Sequence, residues 1–266
     1  MERSAVARGS RPGGGVPAAR QTLAVLQALA RQSGPVPAAA LSRNLGIPRS
    51  SIYHLLAELT RAGFVVHLPE ERRWGLGVSA FEIGTAFMRQ EPMARLARPV
   101  LARLVDEVGN SAHLAVLHGR EVLYVVEERA PGRPPLVTDV GVRLPAQLTA
   151  SGRAMLARLP AAQVRALFPD AGSFVERHGT GPRSLSALRR LLGEVRRDGY
   201  ASEDGEVTPG LASVAAAVHD HTGRPVAGTA VTFAATELDA AGRARLARRV
   251  SAAAGELTRR IGGRVP

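Results

Sequence analysis

The residues GIPRSSIYHLLAELTRAGFV, positions 46–65, carry the reading on which the fold turns. Gly46-Ile47-Pro48 makes a tight turn, since glycine and proline end one helix and set the entry to the next. From Arg49 to Ala62, Ile52, Leu55, Leu56 and Leu59 recur at helical spacing as one apolar stripe. Ser50, Tyr53, His54, Ala57 and Arg61 fall on the opposite side, with Arg49 in the first turn. Working outward, Leu23, Leu26 and Leu29, with Ala30, predict a helix over residues 20–31 that Gly34-Pro35 stops. A short helix over 37–45 places Leu41 and Leu45 one turn apart. Downstream, Gly63 closes the third helix, 64–68 reads as a strand, 69–73 as a turn and 74–76 as the returning strand. Helix, helix, turn, helix and a basic-tipped hairpin make a winged helix-turn-helix.

That architecture assigns roles. A recognition helix packs one stripe on its own domain and offers the other, with donors near its start, to the major groove. Arg49, Ser50, Ser51, Tyr53 and His54 are such a set, and Arg72 and Arg73 on the wing suit backbone contacts that position without specifying sequence. Trp74 is expected to pack beneath the wing.

The chain has 266 residues, no Cys, and a formal net charge of +12, every basic residue being Arg. Without Cys, disulfides, thiolate metal sites and cysteine nucleophiles are excluded. Residues 1–80 hold ten Arg against four acidic residues, and 81–266 hold 25 against 19, so the first third carries more than twice the charge per residue. A phosphate footprint requires such a bias, although charge alone does not separate it from an ordinary solvated basic surface. No signal-peptide core or membrane-spanning apolar run is found, so a cytoplasmic protein, nucleoid-associated when DNA-bound, is expected.

Four segments are expected: a 1–18 arm without fixed structure, a 19–77 DNA-binding domain, a 78–92 linker helix and a 93–266 effector-binding domain. Over 78–90, Phe81 and Met88 lie on one side and Ile83 and Phe87 on another, so cover is needed on more than one side. A neighbouring domain plus a partner subunit would supply it. Beyond residue 91 the pattern turns mixed: a helix over 96–108, strands at 112–117 and 122–127 joined by a hairpin, and a short strand near 136–139 before a loop over 141–145. Thr149 caps a helix through 157, and Ser184 caps another. Strands at 211–218 and 226–233 flank the turn 219–223, and a last helix begins near Asp239. This is an α+β domain with an antiparallel sheet.

Catalytic signatures are lacking. No nucleophile elbow, phosphate-binding loop or dinucleotide fingerprint is found, and His219-Asp220-His221 lies at a turn, where polar residues are expected. His113 and His118 read as structural or solvent-facing. No catalytic residue, metal or cofactor is expected.

The runs at 46–65 and 72–84 (RRWGLGVSAFEIG) resemble the DNA-binding domain of IclR-family regulators, with Trp74 where the family more often has Tyr. VGVRLPAQLTASGRAMLA (140–157), DGYASEDGEVTPGLASVAAAV (198–218) and GRPVAGTAVTF (223–233) are similar to the family's effector domain, whose fold is GAF-like. The resemblance implies dimerisation through the N-terminal module and linker. It also implies an effector pocket at Ala150, Ser151, Glu203 in the loop before a strand, Ser213, Ala230 and Thr232. Backbone amides at the start of the 150–157 helix would then favour an anion, with Ser151, Ser213 and Thr232 supplying polar groups. Without the resemblance these read as ordinary strand and cap residues.

The protein so expected is a homodimeric or dimer-of-dimers repressor on a pseudo-palindromic double-stranded DNA operator. Its binding is modulated by a small carboxylate-bearing effector, and no membrane is involved. The competing reading is a ligand-independent DNA-binding or protein-interaction module, with a metal-dependent enzyme behind it.

Overall fold

The computed structural model describes residues 16–90, 92–133 and 135–264. The chain divides after Gln90 into two compact units. Residues 1–15 of the expected arm lie outside the described residues, while Pro17 and Ala18 already belong to a helix.

In the first unit α1 (Pro17–Ala30) begins with Pro at its first turn, where a missing N–H costs nothing. Then α2 (Ala38–Leu45) ends on Gly46 in the left-handed conformation at φ 64°, and α3 (Arg49–Arg61) follows Pro48 directly. Val25, Leu29, Leu41, Ile52, Leu56 and Leu59 interlock as the core. The hairpin is β1 (Val65–Leu68) with β2 (Arg73–Leu76), so Arg73, expected in the turn, is the first strand residue, opposite Leu68. Val36 adds a bridge to Trp74 through two hydrogen bonds of 2.8 and 2.9 Å, pinning the wing to the α1–α2 connection. Gly77 is required here. A Cβ on it would lie 2.3 Å from the Gly63 carbonyl oxygen. The unit closes with α4 (Val78–Gln90), on which Val78, Phe81 and Ile83 are exposed. The side chains of Phe87 and Met88 lie outside the described residues.

The second unit is a six-stranded antiparallel sheet between two helical layers. Its strands are β3 (Ala112–His118), β4 (Glu121–Glu128), β5 (Arg143–Pro145), β6 (Ala201–Asp204), β7 (Leu211–His219) and β8 (Pro225–Ala234), in the order β5-β4-β3-β8-β7-β6. Alternation along β7 divides the core. Ala212, Val214, Ala216 and Val218 face α5 (Pro92–Val108) and α9 (Ala240–Arg260), whereas Ala215 and Ala217 face α6 (Ala150–Leu156) and α8 (Leu185–Asp198). The short helix α7 (Ala161–Leu167) was not foreseen.

Residues 136–139 are not a strand. The free edge of β4 is taken instead by β5, with Leu144 opposite Val122, so the expected 141–145 loop supplies the strand. Glu203 likewise sits on β6, opposite Ser213, and not in a loop.

A candidate DNA interface and a candidate effector cavity

On α3 the two faces separate as the spacing dictates. Ile52, Leu56 and Leu59 are buried and Leu55 half-buried; Ser50, Tyr53, His54, Ala57 and Arg61 are exposed. Ser51 is half-buried, at the margin of the exposed face. Arg49, at the first turn, is exposed and has no hydrogen-bond or ion-pair partner among the described residues. A guanidinium free of internal bonds at a helix start can contact a phosphate or a base edge.

The wing arginines differ. Arg72 occupies the hairpin tip with φ 53°, its amide donating to the Pro69 carbonyl at 3.2 Å and its exposed guanidinium without a partner among the described residues. Arg73 folds back: it donates to the Pro35 carbonyl at 3.1 Å and lies 4.0 Å from the Glu71 carboxylate. Trp74 is half-buried against the core and stacks on His67, ring centroids 4.2 Å apart.

In the second unit a cavity opens on the α6 side of the sheet. Ala150, Ser151, Glu203, Ser213, Ala230 and Thr232 all line it. They meet there because α6 runs close against β8: a Cβ on Gly228 would lie 2.9 Å from the Ser151 carbonyl oxygen. Gly152 approaches still closer, its absent Cβ 2.2 Å from the Ala146 oxygen. Thr149 caps α6, its hydroxyl accepting from Gly152 N at 3.0 Å.

The polar atoms are unevenly satisfied. Ser213 Oγ donates to Glu203 Oε1 at 2.7 Å and lies 3.0 Å from Thr232 Oγ1. Glu203 Oε2, Ser151 Oγ and His113 Nδ1 are buried without a hydrogen-bond partner. Burial pushes the Glu203 carboxyl up to about 7, and Glu206 adds to the rise. The Ser213 hydroxyl, the Val207 amide and Arg153 pull the other way. Burial, then the Glu203 carboxylate, also push the Tyr124 phenol far above its ordinary value.

Several lining residues went unforeseen. His113, expected to be structural or solvent-facing, and Tyr124 line the cavity from β3 and β4, and Leu136, Val137 and Thr138 line it as well. Thr138 Oγ1 hydrogen-bonds to His113 Nε2 at 2.8 Å. The strand alternation contained the signal, since His113 and Tyr124 lie on one face of the β3–β4 ladder. The expectation of an anion site at the start of α6 meets an obstacle. That helix has only seven residues, its first turn is capped, and the cavity carries Glu203 and no arginine among its lining residues. At the 219–223 turn, Asp220 Oδ1 accepts from Thr222 N, Thr222 Oγ1 and Arg224 N, so its carboxylate holds the hairpin.

No helix among the described residues is long and apolar enough to cross a membrane. Family models match both units: the IclR helix-turn-helix domain over residues 18–69 and the bacterial transcriptional regulator IclR C-terminal domain over 85–259. The acetate operon repressor of Salmonella typhimurium is 27% identical over 243 residues, covering 91% of this chain and 88% of that protein. A crystal structure of an IclR transcriptional regulator from Silicibacter superposes with a TM-score of 0.81 at 24% identity, covering 94% of this chain and 98% of that one. An IclR homologue from Microbacterium hydrocarbonoxydans, solved in complex with 4-hydroxybenzoate, gives 0.74 at 20% identity, covering 91% and 99%. With its C-terminal match spanning most of the chain and a helix-turn-helix of the same family ahead of it, this protein belongs to the IclR family of bacterial transcriptional regulators.

Proposed function

We propose that the chain is a cytoplasmic, sequence-specific repressor, not an enzyme, and that it binds a pseudo-palindromic operator as a homodimer or dimer of dimers. A small molecule held in the α6–sheet cavity modulates that binding. The observation that carries this reading is the convergence of all six expected effector residues on one cavity that keeps unpartnered polar atoms. Buried polar groups are ordinarily paired, and a cluster of them without protein partners around a concavity suits a ligand that bears hydrogen-bonding groups.

The DNA end rests on α3, where Arg49, Ser50, Tyr53 and His54 stand exposed opposite the buried stripe, with Ser51 at the margin. The wing tip Arg72 supplies a backbone contact, and Arg73 a weaker one. Dimerisation is supported by Val78, Phe81 and Ile83, apolar and exposed on α4. The repressor assignment follows the names of relatives such as the acetate operon repressor, and the small-molecule effector follows the neighbour complexed with 4-hydroxybenzoate.

The test uses a duplex selected by the protein itself from a random pool. Arg49→Ala should weaken that duplex by about 1–3 kcal/mol while changing random DNA much less. Unchanged discrimination between selected and random duplexes in the variant refutes the base-reading role.

A further inference from the structure

We propose that Glu203 makes the cavity a site for a small hydroxyl- or amine-bearing molecule, gripped between Glu203 Oε2 and Ser151 Oγ, and that a bare carboxylate is refused. The inference deepens the effector reading above and rests on it.

The argument begins with how Glu203 is held. Its Oε1 already accepts from Ser213 Oγ, which has Thr232 Oγ1 behind it, so the carboxyl group is fixed in place. Oε2 makes no hydrogen bond of ordinary length, on a residue 4% exposed, and beyond Ser213 only the Val207 amide acts on the carboxyl group as a donor. Ser151 Oγ, on another lining residue and 1% exposed, likewise makes no hydrogen bond of ordinary length, the Tyr124 phenol being the group that acts on it. A carboxylate oxygen only accepts, whereas a hydroxyl both donates and accepts. The pair is therefore complementary to a ligand O–H, or to an N–H that donates to Glu203.

A ligand carboxylate would set acceptor against acceptor. Among the described residues no arginine lines the cavity to offset the added charge. Arg153, the cation that acts on Glu203, is committed to the Gln147 and Ser202 carbonyls and to Glu206 at 2.7–2.8 Å. Glu206 itself adds negative potential.

The two ligand classes differ in proton linkage. Burial holds the Glu203 carboxyl at about 7, so near neutrality both of its forms are populated. A donating ligand binds the ionised form, and its affinity should fall roughly tenfold between pH 8 and pH 6. A carboxylate ligand needs the protonated form and gives the opposite slope. Tyr124 and His113 share the cavity, and Glu206 and Arg153 act on Glu203 beside it, so the slope is assigned by substituting Glu203 alone.

The experiment titrates the full-length protein by calorimetry with glycerol, 4-hydroxybenzyl alcohol and tyramine, against butyrate, benzoate and 1,4-dimethoxybenzene. The expected result is that at least one donor compound binds at least tenfold more tightly than any donorless one. Glu203→Gln, which keeps an acceptor for Ser213 but offers an amide in place of Oε2, should erase both preference and pH slope. Donorless compounds binding equally well, a preference that survives Glu203→Gln, or no binding by any donor compound overturns the proposal. Ser151→Trp, or Ala230→Leu should the first not fold, fills the cavity. Carboxylate binding that either variant abolishes overturns the donor reading and leaves the cavity as the effector site; binding indifferent to both overturns the two together.

Discussion

Arg72 and Arg73 are adjacent in sequence and alike in charge, yet the wing geometry predicts different effects on DNA binding. Arg72 stands at the hairpin tip and its side chain has no internal partner among the described residues, so its guanidinium is available to a phosphate. Arg73 already donates to the Pro35 carbonyl and neighbours Glu71, so a phosphate must compete for it. Each phosphate neutralised on duplex DNA steepens the salt dependence of log K by about 0.9, which at 0.1 M salt corresponds to about 1.2 kcal/mol. In a dimer the change appears twice. Arg72→Ala should therefore lower the slope by about 1.8 and the affinity by about 2.4 kcal/mol, equally on specific and random duplexes. Backbone strain does not confuse the comparison. Arg72 holds φ 53°, and alanine pays the same left-handed penalty as arginine. Arg73→Ala should move the slope by clearly less, while loosening the wing by less than about 1 kcal/mol through the lost exposed contacts. Fluorescence anisotropy across a salt series measures both quantities. Parallel salt plots for wild type and Arg72→Ala, or a larger slope change for Arg73→Ala, would refute the reasoning.

Two further outcomes concern the effector unit. Folding holds the Glu203 carboxyl at about 7 against an ordinary 4.5, so between those values the folded chain binds more protons than the unfolded one. The Glu203 contribution to stability should accordingly fall as pH rises through that window, by up to about 3 kcal/mol. His219, held below its ordinary value by burial, contributes in the opposite sense. The wild-type minus Glu203→Gln difference in urea melts therefore isolates the fall, and a difference that rises there contradicts the assignment. Gly152→Ala places a methyl 2.2 Å from the Ala146 oxygen, a backbone atom that cannot swing aside, and should destabilise the unit by about 1–3 kcal/mol or more. A thermal melt unchanged by that substitution would mean that α6 is free to shift away from the turn beneath it.

What could be read in the sequence was what local physics fixes. The helix-turn-helix was legible because Gly46, Pro48 and the Ile52–Leu59 stripe each act within a few residues of themselves. The caps at Thr149 and Ser184 were legible for the same reason. Residues 136–139 misled because Leu136-Val137-Thr138 has strand composition, whereas strand formation depends on a free partner edge, and residues 143–145 occupy the one beside β4. Ala201–Asp204 misled in the opposite sense. Ser, Glu and Asp suggest a loop, yet alternation buries Ala201 and Glu203 while Ser202 and Asp204 face water. The six cavity residues were reached through the family resemblance, not through spacing. Their neighbours His113 and Tyr124 could have been added by following one face of the β3–β4 hairpin.

The cavity follows from a choice of small side chains where a core calls for large ones. Ala150 and Ala230 stand where α6 crosses the sheet, and Gly228 and Gly152 let the helix come down to backbone contact. The neighbouring core, by contrast, is filled by Met155, Leu156, Leu188 and Leu192. Had the site been selected for stability alone, a Leu at 230 would fill the space, and an apolar residue at 203 would spare a buried carboxylate. An unsatisfied buried polar group costs on the order of 1–3 kcal/mol, and three such atoms belong to residues that line this one space. Local choices that run against stability in this concerted way mark function rather than poor packing. The same logic applies to the first unit, where Tyr53 and His54 are left in water on a helix whose other side is fully interlocked. Each unit thus keeps one surface unsatisfied on its own, and the two call for different complements: a polyanion at α3 and the wing, a small hydrogen-bonding molecule beside Glu203.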